Sequence, residues 1–281
     1  MSDLVVAYRI YPKVSKVPPV FYDDKYKLAR LCLESFKESL GDLEVELYAI
    51  LDSCPEEYVK LFEEYFPNTH FIRLDNAGNQ TTFKCQIEVL LGQKESDIVY
   101  FAEDDYFYLP DKFEEMLKFL EKDDVHFLTP YDHLDYYTHP LHKHKGYTRE
   151  YKGTEWRTVA STCLTFLTTK RILNETKDVM ETYVKGNYDA SLWVSLTKYN
   201  VNPINAFRAL DMMAMLGAAW IYCWRQILFG RKYSLWAPRP SIATHMENTK
   251  IAPNVEWEKI IMEKVKKIDP KWEHFNIKDS S

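Results

Sequence analysis

The stretch Ile98 to Pro110, IVYFAEDDYFYLP, decides how the rest of the chain is read. Ile98 to Ala102 is apolar without alternation, the pattern of a strand covered on both faces of a parallel sheet. It runs straight into three consecutive carboxylates, Glu103, Asp104 and Asp105. In open α/β sheets ligands collect beyond the carboxyl ends of such strands, so the acids stand where a ligand would. Adjacent acids repel, by about 4 kcal/mol for a pair roughly 4 Å apart at an effective dielectric of about 20. A cation is therefore expected among them, and a hard divalent ion taken by oxygen atoms, Mn²⁺ or Mg²⁺, is the natural candidate. The competing reading is a solvated acidic turn, with Asp111 as N-cap and Glu114 completing a capping box ahead of Phe113, Met116, Leu117 and Leu120.

Outward from that stretch, Leu4 to Ile10 (LVVAYRI) predicts a first strand, and Pro12, Pro18 and Pro19 make the segment after it an extended loop at its carboxyl end. Leu28, Leu31, Cys32, Ser35, Phe36 and Leu40 share one helical face that Gly41 stops, and Val45 to Leu51 is a second strand ending in Asp52. Tyr58, Leu61, Phe62, Tyr65 and Phe66 mark a helix closed by Pro67, before a short strand from His70 to Leu74 and a turn over Asp75 to Asn79. Phe83, Ile87, Leu90 and Leu91 carry a helix into the Ile98 strand, and Val125 to Thr129 follows as another strand. Such alternation with short connections predicts an α/β fold with a doubly wound, mostly parallel sheet.

Beyond Pro130 the regular periodicity is lost. Tyr131 to Trp156 is crowded with Tyr and His, including His133, His139, His142 and His144, and its aromatic richness favours an ordered stacking surface for a substrate. His142 and His144 have neither a Cys partner nor helical i, i+4 spacing, so they read as loop residues rather than metal ligands. Thr158 to Thr168 predicts a strand, followed by helices over Lys170 to Tyr183 and Tyr188 to Tyr199. Asp189 opens the second of these, where it complements the helix dipole. His245 follows a short extended segment, PSIAT, and Val255 to Lys267 is a charged amphipathic helix. The apolar run Met212 to Trp224, bounded by Asp211 and Arg225, falls short of the roughly 20 residues a spanning helix needs. Burial in the core is the expectation for it, with peripheral membrane contact as the alternative.

Composition bounds the partners. The chain has 281 residues with a net charge of -6, and no run of Lys or Arg gives a nucleic-acid footprint. Five cysteines without a CxxC pair read as reduced thiols, and the start MSDLVVAYRIYP carries an acid and too short an apolar run for a signal peptide. The expectation is a cytoplasmic protein, with membrane association left open.

In order and spacing these segments resemble the GT-A glycosyltransferases, most closely the family 2 type, over roughly Leu4 to Leu196. The carriers of the likeness are AYRIYP, LYAILDS, RLDNAGN, VYFAEDDYFYLPD and the looser GNYDASLW, with His245 in PSIATH similar to a C-terminal metal-site histidine. The resemblance implies a nucleotide-sugar-binding half over residues 1–130 and an acceptor-binding and C-terminal region over 131–281 of the same domain. It implies that Asp105, Glu103 and His245 hold a Mn²⁺ or Mg²⁺ ion, and that Tyr8, Arg9, Asp52, Glu103 and Asp104 border the donor. Asp52, read as a strand-end acid facing solvent, would contact the base. Asp189 would be the catalytic base of an inverting transfer to a glycan, sugar or lipid-linked acceptor, with Glu155 and Asp211 as rivals. Two other functions compete: a nucleotidyltransferase, which usually brings a Gly-rich loop that RIYPKVSKVPP lacks, and a non-catalytic sugar- or nucleotide-binding protein.

Overall fold

The first half builds β1 (Leu4–Ile10), α1 (Lys25–Leu40), β2 (Val45–Asp52), α2 (Glu56–Tyr65), β3 (His70–Leu74), α3 (Gly78–Gly92) and β4 (Ile98–Glu103). The computed structural model describes residues 2–14 and 16–277. β1 pairs in parallel with β2 on one side and β4 on the other, and β3 lies beyond β2. Every residue of β1 is buried. Leu4, Val6, Tyr8 and Ile10 pack in the layer with α1 and α2, whereas Val5 and Ala7 face the layer containing α3. Covering on both faces is the physical reason these strands lack polar alternation.

The chain continues through β5 (Tyr106–Tyr108), α4 (Phe113–Leu120), β6 (Phe127–Leu128), α5 (Asp135–Thr138), β7 (Thr148–Tyr151), β8 (Thr154–Thr158) and β9 (Phe166–Thr169). It ends with α6 (Lys170–Met180), α7 (Asp189–Thr197), α8 (Leu210–Phe229), β10 (Leu235–Arg239), β11 (Ala243–His245) and α9 (Trp257–Ile268). One nine-stranded sheet runs β3-β2-β1-β4-β9-β6-β10-β8-β7, while β5 and β11 form a separate pair. Strands from both sides of Pro130 thus share one sheet. The sheet is mixed: β9 runs antiparallel to β4 and β6, β10 parallel to β6, and the β7–β8 hairpin closes the far edge. Strand order reverses between β1 and β4, the place where doubly wound sheets leave a crevice.

Four local expectations differ from what forms. Asp111 does not cap α4, which starts at Phe113 after Lys112 without a side-chain cap. Asp111 takes a left-handed φ of 55°, which Asp tolerates, and its N–H donates to Glu38 O at 3.1 Å, tying the turn to the end of α1. The Thr158 to Thr168 strand is broken: β8 ends at Thr158 and β9 starts at Phe166. The chain between them bends through the interior, with Thr162 Oγ1 donating to Thr129 Oγ1 at 3.0 Å and Trp193 Nε1 donating to Cys163 O at 3.3 Å. The Tyr-rich segment holds more regular structure than its composition suggests, because Lys152 and Gly153 (φ 49° and 84°) turn TREY back on TEWRT as a hairpin. Its other end is fixed by the buried Asp132, which accepts from Arg157 and from the Tyr137 hydroxyl, each at 2.5 Å. Finally, Met212 to Trp224 is only half buried. Met212, Met215, Leu216, Ala219 and Cys223 face the core, and Met213, Ile221, Tyr222 and Trp224 face outward.

Candidate active site

A cleft of about 620 Å³ opens where β1 and β4 part. The fully buried Gln86 of α3 donates to Ala7 O at 2.7 Å and Ala102 O at 3.1 Å, fixing both strands just before Arg9 and Glu103. Parallel register then sets Arg9 beside Glu103.

Each of the three strand-end acids meets its own basic side chain. Glu103 forms an ion pair with Arg9 through one oxygen and accepts from Thr165 Oγ1 at 2.7 Å through the other. Asp104 lies 2.7 Å from Lys25 Nζ, at the start of α1, and also accepts from the Tyr11 N–H at 3.1 Å. Asp105 Oδ2 lies 3.3 Å from His245 Nε2. The β5–β11 pairing brings this about, because it sets His245 opposite Tyr106, and Met246 N–H donates to Asp105 O at 2.7 Å. Arg9 and Lys25 thus meet the charge of Glu103 and Asp104 from within the chain, and Asp105 faces the imidazole of His245.

These pairs divide the acids electrostatically. Burial works against the charge on Asp105, but His245 outweighs it and holds the carboxyl below the usual range. Burial likewise opposes the charge on His245, and Asp105 outweighs it, so the imidazole lies above its ordinary 6.5. For Asp104 burial dominates and lifts the carboxyl despite Lys25.

Asp189 opens α7 and lines the same cleft. Its Oδ1 accepts from the Ala190 N–H at 2.6 Å, and burial raises its carboxyl above the ordinary 3.8, with Glu103 adding to the effect. The rivals lie elsewhere: Glu155 pairs with Arg239 at 2.5 Å and Asp211 with His139 at 3.0 Å, and neither lines the cleft.

Two expected donor residues change role. Tyr8 is fully buried against Phe36 and Phe62 in the layer opposite Arg9's side of the strand, and it does not line the cleft. Asp52 borders the cleft but does not face solvent: it is buried, and its two oxygens accept from the Ala77 and Gly78 N–H groups, each at 2.9 Å. It anchors the turn into α3. Glu103 lines the cleft with each oxygen already accepting one hydrogen bond, from Arg9 and from Thr165. Sequence reasoning missed Lys25 and Gln86, which act across 79 and 16 residues or more. It also missed Tyr131, His133, Cys163 and Tyr183 in the cleft wall. Only the aromatic crowding after Pro130 signalled the first two.

A mixed α/β sheet with an acidic cleft at its switch point is the fold of the GT-A class. Residues 20–183 match the profile described as glycosyl transferase family 2, and the chain belongs to that family. A search of curated proteins finds no match. Among solved structures it is similar to the galactosyltransferase LgtC in complex with donor and acceptor sugar analogs, at 10% identity over 78% of this chain and 70% of that one, with a TM-score of 0.37. It is similar to S. aureus TarS at 12% identity over 83% of this chain and 36% of that one (TM-score 0.41). It is also similar to a cytidylyltransferase from Leptospira borgpetersenii serovar Hardjo-bovis (strain JB197), at 13% identity over 62% of each chain (TM-score 0.35). The chain therefore spans under two thirds of that cytidylyltransferase and about a third of TarS.

Proposed function

We propose that this chain transfers a sugar from a nucleotide-sugar to an acceptor hydroxyl on a sugar, glycan or lipid-linked acceptor, inverting the anomeric carbon, with a divalent ion at Asp105 and His245. One observation carries the reading: Asp105, His245 and Asp189 line a single cleft at the β1/β4 switch point. The two metal-site residues fit a hard cation. Asp105 Oδ1 is buried without a hydrogen-bond partner, and Oδ2 lies 3.3 Å from His245 Nε2, an oxygen and nitrogen donor pair suited to a hard cation. Among the described residues no third His, Cys, Asp or Glu joins them. Asp105 and His245 would hold Mn²⁺ or Mg²⁺ there, whose chemistry is to offset the charge growing on the departing diphosphate.

The chain's own residues do the rest. Arg9 keeps Glu103 in place at the cleft floor, and Asp52 fixes the turn beside the nucleotide. Asp189, a carboxylate lifted by burial toward the working pH, takes the proton from the acceptor hydroxyl as its oxygen bonds the anomeric carbon and the bond to diphosphate breaks on the opposite face. Calorimetric titration of nucleoside diphosphates with Mn²⁺ or EDTA, on the unaltered chain and on Asp105→Ala, tests the metal assignment. Binding should require the ion and vanish in Asp105→Ala, and equal affinity with EDTA would overturn it. NMR of the product anomer tests inversion.

A further inference from the structure

The segment from Pro203 to Phe229 carries an apolar surface that the cleft does not use. Along α8, Leu210, Ala214, Gly217 and Ile221 recur at steps of three and four residues and form one stripe, and beyond the kink at Cys223 (φ -125°, ψ 18°) Trp224 and Leu228 are exposed as well. None of the six is buried among core residues, and the stripe contains no charge. Phe207, in the turn before α8, and Phe229, its last residue, are exposed too. Exposure is extreme for large apolar side chains: 82% for Phe207, 90% for Leu210 and 79% for Phe229. The opposite face of the same helix holds Met212, Met215, Leu216 and Ala219 against the core, so the helix is anchored and the exposed stripe is a fixed surface. α8 is further tied to α7, since Ser191 Oγ donates to Met215 O at 2.7 Å. A contiguous exposed patch of this kind marks an interaction site.

Charge decides what covers it. On and beside α8 the exposed charges are Arg208, Arg225 and a single acid, Asp211, while Arg231 pairs with Glu175 and Lys198 donates to Gly230 O, in a chain whose net charge is -6. Arg208 and Arg225 are exposed directly beside Phe207 and Trp224, and Asp211 is held toward His139. A second copy meeting this face would set basic residues against basic residues. An anionic surface complements it. Trp224 and Tyr222 add amphipathic rings suited to the headgroup level of a bilayer. Among the described residues no helix is long and apolar enough to cross a membrane, so the geometry is that of a helix lying in the interface plane.

We propose that the Phe207–Phe229 face seats the protein on an anionic lipid bilayer, apolar stripe into the headgroup boundary and the flanking arginines on lipid phosphates. Flotation with phosphatidylcholine vesicles, with and without phosphatidylglycerol, tests this on the full chain. The protein should float with the anionic vesicles, less with pure phosphatidylcholine, and less again at high salt. The triple variant Phe207→Ser, Ile221→Ser, Phe229→Ser should lose at least about tenfold in partitioning with an unchanged melting temperature, since three exposed apolar side chains leave the bilayer and none leaves the core. Vesicles should shift tryptophan fluorescence to the blue, and Trp224→Phe should remove most of that shift. If the triple variant misfolds, Arg208→Glu with Arg225→Glu, both exposed, should abolish the preference for anionic vesicles. The proposal is overturned if the unaltered chain stays soluble beside phosphatidylglycerol vesicles or if the triple variant floats equally well. It is also overturned if sedimentation shows a dimer that these same substitutions dissolve.

Discussion

Lys25→Met removes the only side-chain cation within ion-pair distance of Asp104 among the described residues. The pair is 2.7 Å apart and nearly dry, with the side chains 9% and 14% exposed. Removing one partner of a buried pair leaves an uncompensated charge and costs about 3–5 kcal/mol. At about 2.1 cal/mol/K of unfolding entropy per residue, a chain of 281 residues should lose roughly 5–8 °C of melting temperature. The companion change Asp104→Asn removes the stranded charge while keeping the Tyr11 N–H acceptor in place. Lys25→Met with Asp104→Asn should therefore recover more than half of the loss, giving a coupling energy of about 2 kcal/mol or more. Urea denaturation of the four proteins of the cycle reads this directly. A single-variant cost below about 1 kcal/mol, the range of solvent-exposed pairs, would show that Lys25 and Asp104 act as a surface pair and refute the argument.

Two further outcomes follow from the described contacts. Asp52→Ala leaves the Ala77 and Gly78 N–H groups without their acceptor, so stability should fall by about 1–3 kcal/mol in chemical denaturation and nucleotide affinity should fall with it; loss of affinity at unchanged stability would make Asp52 a direct nucleotide contact instead. His126 faces Arg231 at 2.5 Å, and burial, then Arg231, hold it down at about 4. The unfolded chain takes up that proton near 6.5 and the folded one does not, so stability should fall as pH drops from about 6.5 to 4. His126→Gln should flatten that part of a melting-temperature profile, and an unchanged slope would contradict the assignment.

What could be read in advance follows from which contacts are local. The Ile98 strand and its acids were legible because an apolar run and its terminating charges are contiguous in the chain. Their partners were not, since Arg9 meets Glu103 across 94 residues and His245 reaches Asp105 only through the β5–β11 pairing. Tyr8 and Arg9 show the limit of pattern reading in a doubly covered strand: with both faces apolar, alternation carries no sign of which side chain enters the core and which the cleft. Asp111 had the spacing of a cap, yet docking on the end of α1 gave it another backbone conformation. The half-exposed face of α8 was hidden for a related reason, because an apolar run reads as buried whether protein or lipid covers it.

Asp189 is the residue on which the proposed transfer turns. Asp189→Asn is nearly isosteric and leaves Oδ1 to accept from the Ala190 N–H, so donor affinity measured by calorimetry should stay within about twofold while turnover in the transfer assay falls by about 10² or more. Near-normal turnover in Asp189→Asn would contradict the single-displacement mechanism built on this residue.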